Sequence, residues 1–84
     1  MIKREASIAG SFEVLDLATK GDWINGENSR RMIIRVGGAG TLHFIGSEDP
    51  DSNDITYTVE PGVYLWNVKK IFADSTATNI MIER

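Results

Sequence analysis

The chain has no cysteine. No disulfide can therefore compensate for a thin core, and no thiolate is present to act as nucleophile or metal ligand. Histidine is represented once, by His43. A single imidazole without thiols gives no zinc site, and no serine sits in a motif that would complete a Ser-His-Asp triad. No run approaches the ~20 apolar residues that span a bilayer, so no membrane partner is expected. The opening "MIKREASIAGS" carries basic residues without an apolar core. It lacks the form of a signal peptide, and the expectation is a protein made and used without Sec export. Positive charge is also short: nine Lys and Arg stand against twelve Asp and Glu, for a net charge of −3. These bases are dispersed, which argues against nucleic acid as a partner.

What remains is an ordinary globular composition, 42% hydrophobic and 25% charged, over 84 residues. That length makes one small domain, expected here over residues 11–84 behind a flexible arm over residues 1–10. A chain this short buries a modest share of its surface and stands alone only when well idealised. With eight glycines and no staple, burial against another copy or another protein is the easiest remedy.

Apolar residues alternate with period two almost throughout the second half. "RMIIRV" sets Met32, Ile34 and Val36 against Arg31 and Arg35, and "TLHFIG" sets Leu42 and Phe44 against Thr41, His43 and Ile45. "DITYTVE" sets Ile55, Tyr57 and Val59 against Thr56 and Thr58. "VYLWNVKKIFAD" reads as one bent strand or two, "NIMIER" as the last strand, and "SFEVLDL" as an early one with Phe12, Val14 and Asp16 on one face. No window of helix length shows a 3.6 period. Between Val36 and Leu42 the glycines of "VGGAG" predict a tight reversal, with positive φ at Gly38 or Gly40. Pro61-Gly62 is a second turn signal. The fold class is all-β: a small antiparallel β-sandwich or jelly-roll-like barrel of about seven short strands.

One stretch matches a calcium-loop pattern. In "DPDSNDITYTVE", Asp49, Asp51 and Asn53 occupy the first, third and fifth places and Glu60 the twelfth. The sixth place is Asp54, where the loop's sharp turn takes glycine, and the second half reads as a strand. At about 3.3 Å per residue, Glu60 would stand roughly 20 Å from Asp54, out of reach of an ion. No metal is assigned; a weaker cation site on Asp49, Asp51 and Asp54 stays an alternative. "GGAG" lacks the Lys and Ser/Thr of a phosphate-binding loop, and Glu48 and Asp49 are adjacent rather than facing across a cleft. Neither a catalytic residue nor a cofactor is expected. The chain reads as no enzyme.

Phe44, Tyr57 and Phe72 fit core positions of strands. Trp23, Tyr64 and Trp66 are not placed so firmly: they pack within the monomer, or they join Arg31 and Arg35 in an interface, where Trp, Tyr and Arg are enriched. Stacking of Trp23 or Trp66 on a sugar ring is a third reading.

Four pieces occur in a suggestive order: "RRMIIRVGGAG", "TVEPG", "VKKI" and "TATNI". Together they resemble small structural proteins of tailed bacteriophages and gene-transfer agents, of the head-spike base or head or tail accessory kind. The resemblance runs from about Leu17 to Ile82 and leaves Met1 to Asp16 and the acidic "GSEDPDSND" loop unmatched. It implies a non-enzymatic β-sandwich subunit in the virion, made in the host cytoplasm. Such a subunit would assemble as a homo-oligomer, a ring or trimer, against capsid or fibre protein. The leading expectation is a head-spike base or head-decoration subunit. The alternatives are a carbohydrate-binding module for host surface glycans, using Trp23, Tyr64 and Trp66, and a neck or tail accessory protein.

Overall fold

A computed structural model describes residues 12–26 and 32–84. The arm expected over residues 1–10, Ser11 at the head of the first strand, and Arg31 lie outside the described residues. In chain order the elements are β1 (Phe12–Val14), α1 (Leu17–Lys20), β2 (Trp23–Ile24), β3 (Ile33–Gly38), β4 (Gly40–Gly46), β5 (Asp54–Val59), β6 (Gly62–Tyr64), β7 (Val68–Ile71) and β8 (Thr78–Glu83). They form two four-stranded sheets, ordered β1-β8-β3-β6 and β2-β7-β4-β5, with antiparallel pairing throughout. The architecture is the expected all-β sandwich.

The alternation in the sequence decides which side chains meet between the sheets, because successive residues of a strand face opposite ways. Ile34, Val36, Ile80 and Ile82 bury from the first sheet. Trp23, Leu42, Phe44, Val59, Val68 and Ile71 bury from the second. Trp23, read from the sequence as sitting in a polar loop, is thus a core residue.

Among the consecutive strands of the described residues, only β4 and β5 are neighbours in one sheet; the others in succession lie in different sheets. This changes the reading of the turns. "VGGAG" does not reverse the chain. β3 and β4 lie in different sheets with Ala39 alone between them, so the segment is a corner. Neither Gly38 nor Gly40 has positive φ; among the described glycines Gly21 (+83°) and Gly62 (+158°) do. What demands glycine at the corner is proximity. A Cβ on Gly40 would lie 2.5 Å from the Ala77 backbone nitrogen and 2.7 Å from the Thr76 carbonyl carbon. Thr41 locks this contact: its carbonyl accepts from the backbone N–H of Thr76 and of Ala77, both at 3.0 Å. Pro61 forms a second corner, between β5 and β6. There the Tyr64 hydroxyl donates to the Glu60 carbonyl (2.7 Å) and accepts from the Glu60 N–H (2.8 Å).

The "SFEVLDL" segment is also shorter as a strand than it reads. β1 ends at Val14, and Asp16 caps the single turn α1, its carboxylate accepting from the Thr19 N–H at 3.2 Å. Gly21, with φ +83°, ends that turn, donating to the Leu17 carbonyl. Four residues are too few to carry a helical period. Tyr57 and Phe72 are likewise not core residues. β5 is an edge strand, so Tyr57 stays 54% exposed although it shares the inward side with buried Val59. Phe72 stacks on His43, whose side chain alternates away from the core-facing Leu42 and Phe44.

Gly40→Ala forces backbone against backbone and is expected to lower stability by about 1–3 kcal/mol. Gly26, with nothing within 4 Å of a would-be Cβ, is the control. Urea melts of both variants check this: equal, small losses would refute close approach as the reason for glycine at the corner.

Candidate interface

On the first sheet, alternation turns Ile33, Arg35 and Gly37 outward when Ile34 and Val36 point in. Strand register then lays Val14, Met81, Arg35 and Val63 in one row across four strands. A second row holds Phe12, Glu83 and Ile33. These rows expose unusually apolar groups for an outer face: Phe12 is 61% exposed, Val14 72% and Val63 50%. Leu65, just past β6, is also exposed. Val14, Arg35, Val63 and Met81 line a shallow depression of about 440 Å³. The charged groups of the two rows neutralise each other, because the Arg35 guanidinium donates from Nε to the Glu83 carboxylate. Glu83 is itself buried. A carboxylate without water needs its partner, so Arg35 is tied to this spot.

The aromatic residues gather at another place. Trp66 stacks on Phe44 (5.3 Å between ring centres), meets Tyr57 edge-on (5.6 Å) and lies against Tyr64 (4.9 Å). Trp66 and Tyr64 pack against the core there, beside β5, whose Ile55 and Tyr57 stay exposed. Of the five residues expected to share an interface, Tyr64 and Trp66 are therefore together, and half-buried. Trp23 lies in the core, with the Arg84 guanidinium 5.8 Å from its ring. Arg35 sits on the outer face of the first sheet, and Arg31 is outside the described residues. The four described residues do not form one patch.

Sequence reasoning missed a polar cluster on the outer face of the second sheet. His43 on β4 is held at both ring nitrogens, Nε2 to Asp54 at 2.5 Å and Nδ1 to Asp74 at 2.7 Å. Its ring stacks on Phe72 at 3.9 Å, and Lys70 Nζ lies 4.6 Å from the Phe72 ring centre. Hydrogen bonds that the ring donates to Asp54 and then to Asp74 raise the His43 pKa, and the bond with His43 lowers that of Asp54. Asp22, near Lys70 at 3.5 Å, is also lowered, chiefly by the N–H of Ala73. With a carboxylate on each nitrogen, both ring positions of this imidazole are already engaged. It is an electrostatic clasp joining β4, the head of β5 and the β7–β8 connection.

The calcium-pattern residues are dispersed. Asp51 pairs with Lys69 at 3.1 Å, Asp54 with His43, and Glu60 lies beyond the far end of β5. Among the described residues no group of three His, Asp or Glu is placed to hold a metal.

The clasp has a signed pH dependence. The raised His43 pKa contributes stability that is complete below the unfolded value of about 6.5 and is lost as pH rises through the folded one. The lowered Asp54 pKa contributes above about 3.9 and is lost as pH falls through its folded value. Stability from this cluster therefore peaks at mildly acidic pH. Thermal melts of the native chain and of His43→Gln, at about pH 5.5 and about pH 9, are expected to differ most at the lower value. A gap that does not narrow at high pH would contradict the clasp.

In comparisons with known proteins, no family model, no curated sequence and no solved structure matches the chain.

Proposed function

We propose that this chain is a non-enzymatic structural subunit that assembles with copies of itself, covering the outer face of its first sheet. The observation that carries this reading is the pair of apolar rows around Arg35 and Glu83. Water contact costs roughly 25 cal/mol per Å² of apolar surface, so a second surface that covers Phe12, Val14 and Val63 gains directly. Burial does not strand a charge, because the two ionic groups in these rows are already paired. Aromatic and aliphatic groups surrounding an arginine match the composition of interface centres.

The particle this subunit serves is read from the sequence resemblance. On that basis it is a virion component of a tailed bacteriophage or gene-transfer agent, a head-spike base or head-decoration subunit forming a ring or trimer against capsid or fibre protein. A neck or tail accessory role uses the same surface. Glycan binding has weaker support: Trp23 is in the core, and the rings of Trp66 and Tyr64 pack on each other and on Phe44 and Tyr57.

Light scattering coupled to size-exclusion chromatography tests assembly. The native chain is expected to elute above monomer mass at micromolar concentration. Val63→Glu places a bare carboxylate in the apolar row and is expected to lower the assembly mass while keeping the β-type circular dichroism spectrum. Val63 is half exposed, so the fold itself should lose within about 0.5 kcal/mol. A native chain of monomer mass, or a Val63→Glu mass equal to the native one, would overturn the proposal.

A further inference from the structure

Sheet edges carry unpaired backbone N–H and C=O groups, and proteins normally keep such edges short, charged or covered. Among the described residues this sandwich has four: β1 and β6 on the first sheet, β2 and β5 on the second. Three are short, at three residues for β1, three for β6 and two for β2. β5 is the exception. It runs six residues, Asp54–Val59, with five of them exposed, and pairs with β4 on one side only. It holds no lysine or proline, and its sequence DITYTV is rich in the β-branched and aromatic residues that strands favour.

We infer that β5 takes the β5 of a second copy of this chain, antiparallel across a two-fold axis at Thr56, joining the two second sheets into one. A row of backbone donors and acceptors calls for another strand, since only a strand satisfies them in sequence. Self-complementarity selects the copy and the register. With Thr56 facing Thr56, each Ile55 stands opposite the other copy's Tyr57, a β-branched–aromatic pair of the stabilising kind. Asp54 then faces Thr58. Moving the axis one residue, to Tyr57, would set Asp54 against Glu60 twice, and like charges directly opposite destabilise. The Asp54 carboxylate is already held by His43, so the joint does not add an unpaired charge there. Ile55 and Tyr57, 39% and 54% exposed, gain cover from the continued sheet. This surface is separate from the outer face of the first sheet and does not rest on it.

The absence of native cysteine makes the test clean. Residues directly opposite across an antiparallel pair stand roughly 4.5–5.5 Å apart, within the range a disulfide spans. Thr56→Cys, oxidised at micromolar concentration, is expected to convert to a covalent dimer on a non-reducing gel, while Ala18→Cys on exposed α1 stays monomeric. The same cross-link is expected when Val63→Glu is added, which separates this joint from first-sheet assembly. Thr56→Lys, which sets two ammonium groups face to face, is expected to lower the light-scattering mass while keeping the β-type circular dichroism spectrum. Thr56→Cys that cross-links no faster than Ala18→Cys overturns the inference. So does a cross-link lost in the Val63→Glu chain, or an unchanged mass in Thr56→Lys.

Discussion

The fold depends on a close approach at one corner. Gly40, where the chain passes from the first sheet into the second, lies against the backbone of Thr76 and Ala77, with no room for a side chain. The Thr41 carbonyl takes two N–H groups from the opposing segment, so the start of β4 and the lead into β8 are fixed to each other. β4 and β8 are both interior strands, one in each sheet. Fixing them ties together the two layers whose buried residues, Ile80 and Ile82 from one and Leu42 and Phe44 from the other, share one core. His43 and Ser75 extend the same attachment: Ser75 Oγ accepts from the His43 N–H at 2.9 Å, and Asp74 holds the imidazole.

A sandwich built by crossing at nearly every connection is economical in chain but leaves its margins thin. The edge strands of the first sheet are short, and Ile55 and Tyr57 on β5 stay exposed. An 84-residue chain without disulfides has little else to bury. Phe12, Val14 and Val63 leave apolar surface on the outer face of the first sheet, and Ile55 and Tyr57 leave it along the β5 edge, where the longest run of unpaired backbone groups among the described edge strands also lies. Both are the surfaces on which the proposed association rests. A pocket that gathers reactive groups is not present among the described residues, where the one histidine is committed at both nitrogens.

Much of this was legible in the sequence. The alternations in "RMIIRV" and "TLHFIG" gave the core positions correctly at Met32, Ile34, Val36, Leu42 and Phe44, because a residue's side of a strand is a local property. Sheet membership is not local. "VGGAG" and "EPG" carry the residues of hairpin turns, yet both are crossings, and glycine at the first answers to backbone 36 or more residues away rather than to its own φ. Edge position was equally hidden: Tyr57 alternates like a core residue but has no strand beyond it. The partners of His43 lie 11 and 31 residues away, which no spacing rule links. Trp23 reads as a loop residue because β2 has only two residues, too few for a period.

The central claim is that the folded chain is completed by other copies of itself. Its most direct test is the melting temperature of the native chain measured from about 1 to about 100 µM, with the sedimentation mass followed across the same series. Mass action stabilises a folded state that is joined to its copies, so the melting temperature is expected to rise with concentration while the mass stays above that of one chain. A melting temperature independent of concentration, together with a monomer mass throughout, would contradict the claim.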